Sequence, residues 1–201
     1  MKKSVFMMLV GIMMLAGCGL GNYEVNKTML DRGLFNTSQA PEFFLELKPG
    51  MDYVNHIVYR YHTAGLDMSH HNYYFINKDK KYAVIVYMAS MTTGEWRTGA
   101  YTPWKYQLQD EVHGNATFSC GYSWGRYALP KAEKPMWEKM GLYNKWVNYT
   151  RKDCLLMPGG LSHGHHIEVR YYELGNKVAH DKIGEFLTRA KNRVDFWVEK
   201  Q

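Results

Sequence analysis

The pattern of apolar and polar positions divides the chain into unlike parts. Ser4 to Ala16 reads SVFMMLVGIMMLA, an apolar run without a charge behind the basic start Met1-Lys2-Lys3. A helix of that length is too short to cross a hydrocarbon core of ~30 Å. It also lacks the polar residues at helical spacing that a surface-packed core helix carries. A basic start, a short apolar run and small residues after it are the features of a secretory signal. The pattern therefore predicts that this start is removed on export, that a short polar tether runs up to Asn26, and that 27–201 fold.

Within that folded part the periodicity changes along the chain. Thr28 to Phe35 predicts a short helix. Ser38-Gln39-Ala40-Pro41-Glu42 predicts a second, with Ser38 as cap, Pro41 in the first turn, and Phe43, Phe44, Leu45 and Leu47 as its apolar side. From Asp52 to Thr63 the positions alternate. Tyr53, Ile57, Tyr59 and Tyr61 share one face, and Val54, His56, Val58, Arg60 and His62 the other. Tyr73–Asn77 and Tyr82–Met88 predict a hairpin across the polar turn Asn77-Lys78-Asp79-Lys80. The run YAVIVYM is apolar on both faces, as in a central strand. Shorter strand-like pieces follow at Glu95–Tyr101, Trp104–Leu108 and Ala116–Tyr122. Lys134-Pro135 opens a predicted helix with Met136, Met140, Tyr143 and Val147 on one side. Ile167–Glu173 predicts another strand.

The segment from Lys177 gives the clearest helical stripe: Ala179, Ile183, Phe186, Leu187, Ala190, Val194, Trp197 and Val198. Glu185 and Arg189 form an i,i+4 pair, and Lys182, Lys191 and Arg193 occupy the opposite face. The stripe suits packing on the sheet, and the basic face would also suit lipid headgroups. These elements predict a single α+β domain, mostly antiparallel sheet, with short N-terminal helices and a C-terminal amphipathic helix packed on it.

Composition changes the picture modestly. The 201 residues carry 25 Lys and Arg against 19 Asp and Glu. Without Lys2 and Lys3 the excess is four, which suits an anionic membrane or glycan neighbourhood and excludes the dense basic tracts of nucleic-acid binding. Aromatic residues make up 15% of the chain, with 16 Tyr and 6 Trp. They fit a Tyr-rich sheet, and some suit platforms on which sugars stack.

Leu15-Ala16-Gly17-Cys18 resembles the bacterial lipobox of lipoprotein precursors. The resemblance implies cleavage before Cys18, a diacylglyceryl group on its sulfur, and acylation of the new amine. Each buried methylene contributes about 0.8 kcal/mol, so two or three chains on one residue hold stably where one does not. Gly19, rather than Asp, follows the cysteine, which in Gram-negative bacteria implies the periplasmic face of the outer membrane. With Cys18 acylated, Cys120 and Cys154 remain in an oxidising compartment, and a disulfide between them is expected, with two separate buried thiols as the alternative.

The chemistry offered by the remaining residues is sparse. His163, His165 and His166 in Ser-His-Gly-His-His are candidate metal ligands, for zinc or, with Met68 beside His70-His71, for copper. A polar loop with hydrogen-bonded imidazoles is the other reading. "SHGHHIEVR" resembles the His-x-His strand of peptidoglycan metallopeptidases of the LAS group, which implies ligands at His163, His165 or His166. The upstream His-to-Asp spacing of that group is wider than His62–Asp67 provides. There is no GxSxG elbow, and Asp110-Glu111, Glu168 and Glu173 are carboxylates whose default is solvation. His56, Arg60 and His62 mark a strand face that fits an edge partly covered by a helix, or else a ligand groove or a partner contact. Together these features predict a lipid-anchored envelope protein that binds a protein partner in an accessory, inhibitory or immunity-type role. It needs no cofactor and binds no nucleic acid. The rival is a zinc-dependent envelope hydrolase, or a metal-binding module, built on the three histidines.

Overall fold

The computed structural model describes residues 25–37, 42–63, 66–79, 81–91, 104–128, 131, 133–142, 146–156, 165–175 and 178–199. The lipobox and Cys18, most of the tether, His163 and the strand expected at Glu95–Tyr101 lie outside them.

Two antiparallel sheets carry the fold. The larger contains β3 (Asp52–Thr63), β4 (Leu66–Asn77), β5 (Tyr82–Met91), β6 (Tyr106–Gln107), β7 (Glu111–His113), β8 (Ala116–Ala128), β9 (Trp146–Leu156) and β10 (His165–Leu174). Its order is β3-β4-β5-β10-β9-β8-β6, with β7 also on β8. It is two meanders joined where β5 meets β10, in the register Tyr87↔Glu168 and Ile85↔Arg170. The apolar run of β5 thus lies between two strands, as its two-faced pattern requires. The smaller sheet has the order β1-β2-β11, from Leu34–Asn36, Phe43–Glu46 and Asp195–Val198.

Each face of the large sheet has its own core. On one, Tyr73, Phe75, Val84, Val86, Phe118 and Val169 meet Phe35, Phe43 and Leu45 of the small sheet, and Phe186 and Ala190 of α3 (Ile183–Arg193). Arg189 forks both Glu173 carboxylate oxygens at 2.8 Å, which docks α3 on β10. The stripe read as a C-terminal helix therefore does pack on the sheet. On the other face, Tyr74, Ile85 and Tyr172 pack on Met136 and Trp137 of α2 (Lys134–Glu138). Glu133, 3% exposed, caps this core. Its carboxylate accepts hydrogen bonds from Tyr74 Oη and Tyr127 Oη, both at 2.7 Å, and from Trp137 Nε1 at 3.1 Å.

Several expectations need correction. At the N-terminus the described residues form one helical turn, α1 (Lys27–Leu30), shorter than the expected Thr28–Phe35 and capped by the Asn26 side chain, which accepts from the Met29 N–H. Phe43–Glu46 is strand β2, not a helix: Phe43, Phe44 and Leu45 are all buried, so the run is apolar because both sides of a short strand are covered. The helix from Lys134 stops after Glu138, and Gly141 turns the chain away at φ +74°. Val147 accordingly belongs to β9. Val194 is extended and Trp197 and Val198 lie in β11, so the final helix ends at Arg193. In β3 the register shifts between Tyr53 and Asn55. That bulge turns Tyr53 towards Phe75 and Val54 into the second core, the reverse of simple alternation.

Candidate functional site: a charged cleft over the disulfide

A cleft of about 320 Å³ opens between β7, β9 and α3. Its geometry begins at a tight turn. The β7–β8 hairpin reverses at Gly114 (φ +67°), where a Cβ would come within 2.5 Å of the Val198 carbonyl oxygen. Only glycine lets the final strand pass so close, and Asn115 N–H then donates to that oxygen at 2.9 Å. The hairpin is thereby pinned to β11, and His113 stacks on Phe196 with ring centroids 3.9 Å apart.

Because side chains alternate along a strand, Glu111 and His113 face the same way. His113 Nε2 lies 3.1 Å from Glu111 Oε2. Lys152 Nζ lies 2.7 Å from Glu111 Oε1 and 2.8 Å from Oε2. Burial pushes the Glu111 carboxyl up, but the bonds to His113 and Lys152 outweigh it and hold the group down at about 2. Cys154 lines the cleft and is bonded to Cys120 beneath it in a disulfide that joins directly opposite residues of β8 and β9, with Cα atoms 4.2 Å apart. The expected pairing is present. A second depression of about 420 Å³ shares Glu111, Lys152 and Lys191 with the first and runs on beneath Leu187. Lys152 is in turn the cross-strand neighbour of Tyr122. There a stack of rings begins, outermost the exposed Tyr106, which lies 5.0 Å from Tyr122 and 4.8 Å from Trp124, both half-buried and nearly parallel to it.

The opposite sheet face holds a closed ionic network. Arg170 forks Glu168 with two contacts of 2.8 Å, and its Nε lies 3.5 Å from Asp153 Oδ1. Arg151 Nε donates to Asp153 Oδ2 at 2.9 Å. Arg170 also lies over the Tyr87 ring at 4.1 Å. Burial and the nearby Glu168 push the Asp153 carboxyl up against the pull of both arginines. Glu168 is held down, because Arg170 and His166 outweigh its burial. Two guanidinium groups and two carboxyls thus balance one another out of water.

The residues singled out in the sequence fall in different places. His166 Nε2 lies 3.8 Å from Glu168 Oε2 at the end of that network. His165 begins β10, but its side chain and His163 lie outside the described residues, and with them the expected triad. His56 and Arg60 share a face of β3, and the His62 side chain is outside the described residues. His56 Nε2 and His71 Nδ1 are 2.9 Å apart, and His56 stacks on Tyr73. Burial pushes the His56 imidazole down. Burial, His56 and Arg60 push His71 down to about 4. The pair is therefore neutral and internally satisfied.

Among the described residues, the group of His, Cys and carboxylates with ligand atoms close together is Glu111, His113 and Cys154, all within 4.8 Å. Sequence reasoning missed it. Glu111 read as a solvated carboxylate, and Cys154 and Lys152, which complete its surroundings, lie on another strand. The usable signal was Glu-x-His ahead of Lys-x-Cys, two pairs each confined to one face of a strand.

No protein-family model, curated protein or solved structure matches the chain. No helix among the described residues is long and apolar enough to cross a membrane.

Proposed function

We propose that this chain is a lipid-anchored protein of the bacterial envelope, held by acylated Cys18, whose residues 27–201 form one domain that works by binding a protein partner. Gly19 after the cysteine favours the periplasmic face of the outer membrane in a Gram-negative host. The observation that carries the binding half is the continuity of one surface. The cleft beside Glu111 and Lys152 runs through the Lys152–Tyr122 pair onto the Tyr106–Trp124 stack. A solvent-accessible cluster of Tyr and Trp with charged residues at its border suits a protein interface, where aromatic anchors carry most of the affinity and the rim is polar. Val112, 73% exposed in the middle of β7, adds an apolar contact at the cleft.

The two halves are tested separately. Cys18→Ser should abolish labelling by a fatty-acid analogue and release the chain from membranes; persistent labelling refutes the anchor. A photo-crosslinking residue placed at Tyr106 or Val112 in living cells should yield a discrete protein adduct, while one at exposed Lys139, beside the opposite core, should not. Equal adducts at all three positions refute the assigned surface.

A further inference from the structure

We propose that Glu111, His113 and Cys154 form a binding site for one zinc-like divalent cation when a dithiol reductant opens the Cys120–Cys154 disulfide. The disulfide is then a latch that decides whether the cleft holds a metal.

The spacing of the donors carries the argument. Zinc bonds of about 2.0–2.3 Å in a tetrahedron place neighbouring donor atoms roughly 3.2–3.8 Å apart. His113 Nε2 lies 3.1 Å from Glu111 Oε2, and Cys154 Sγ lies 3.9 Å from the same oxygen. The third edge, between His113 Nε2 and Cys154 Sγ, lies within 4.8 Å, so a side-chain rotation that closes it by up to about 1 Å completes three corners. The fourth corner faces the 320 Å³ cavity, where water or a ligand atom fits. One sulfur, one imidazole and one carboxylate form the borderline donor set that suits zinc rather than calcium or magnesium. The imidazole is held in place, stacked on Phe196 and edge-on to Phe118 at 5.6 Å.

In the oxidised chain the site is closed for two reasons. A disulfide sulfur lacks the charge of a thiolate, which is the metal-binding form. Lys152 also lies against Glu111 as an internal cation. Reduction balances simply. The dithiol gives two electrons and two protons, the S–S bond breaks, Cys120 and Cys154 become thiols, and the reductant becomes a disulfide. Metal binding then displaces the Cys154 proton to solvent. Cys120 Sγ lies 3.8 Å from the Phe118 carbonyl oxygen and is placed to donate to it as a thiol.

Two single substitutions separate the ligand from the latch. Cys120→Ala and Cys154→Ala both remove the disulfide, but only the first keeps the ligand sulfur. With the full chain in detergent and Co²⁺ as the reporter, Cys120→Ala should bind one ion per chain with a thiolate-to-cobalt charge-transfer band that Zn²⁺ displaces. Reduced wild type should behave alike. Oxidised wild type and Cys154→Ala should show no band and bind at least tenfold more weakly, and His113→Gln in the Cys120→Ala background should cost roughly 10- to 100-fold. Lys152→Met should tighten binding. Equal binding by Cys154→Ala, no band in a folded Cys120→Ala chain, or a reduced chain that unfolds and is not refolded by Zn²⁺ overturns the proposal. None of these results alters the fatty-acid labelling or crosslinking outcomes.

Discussion

Glu133 offers a sharp test of how the second core is held. Its carboxylate accepts three hydrogen bonds, from Tyr74, Tyr127 and Trp137. Tyr74 and Trp137 are each 1% exposed, so Glu133→Ala leaves an O–H and an N–H with no water to turn to. A buried orphan donor costs about 1–3 kcal/mol, and the half-exposed Tyr127 hydroxyl can be hydrated. Adding roughly 0.8 kcal/mol for each lost methylene, and subtracting the relief of a desolvated carboxylate, gives a loss of about 4 kcal/mol. That corresponds to a fall in Tm of about 12 °C for a domain of this size. Glu133→Gln should lose about half as much. Its carbonyl still accepts from Tyr74 and its amide donates to Tyr127, leaving only the Trp137 N–H opposed by another donor. Urea unfolding followed by tryptophan fluorescence, with the disulfide intact and the m-value unchanged, measures both. An alanine variant within about 1 kcal/mol of wild type, or a glutamine variant as damaged as alanine, refutes the account of this cap.

Two further predictions concern the large sheet. The folded chain holds His56 and His71 below the ordinary imidazole value, so the unfolded chain binds more protons between about pH 6.5 and pH 4. Stability should therefore fall as the pH falls through that window. His71→Gln should flatten the fall in denaturation curves taken across it, and an unchanged slope sinks the assignment. At Gly121 a Cβ would lie 2.1 Å from Trp104 Cγ. Gly121→Ala should displace the indole, break its 2.6 Å bond to Gln107 Oε1, and cost about 1–3 kcal/mol. In a Trp104→Ala background the same change should cost much less, and strict additivity of the two would show that the ring does not cover that glycine.

The legible parts of the fold were those where a single chemistry rules a strand. β5 and β10 read correctly because apolar side chains fill their inner positions, and β5 is covered on both faces. β9 was invisible because the face bearing Arg151 and Asp153 reads as solvated unless Arg170 and Glu168 of β10 are known to lie beside it. Burial of paired charges is a property of two strands and leaves no mark on one. β11 was hidden for a different reason. Val194, Trp197 and Val198 continue the helical stripe, yet Phe196 and Val198 also fit an alternating strand, and only the neighbouring β2 decides between them. The cleft was illegible for the same physical cause, since Glu111 and Lys152 are an ion pair formed across strands.

The small sheet places the second strand of the chain beside the last one. Residues 43–46 lack their outer neighbour until residues 195–198 have emerged, so the small sheet closes only after about 150 further residues have been made. Until then Phe43 and Leu45 lack the covering strand, and the Gly114 turn lacks its clasp. A chain cut short by a handful of residues would lose more than its tail. Its two sheets would lose the parallel Gly114–Val198 bridge that helps fasten them, and proteases would meet a more open molecule.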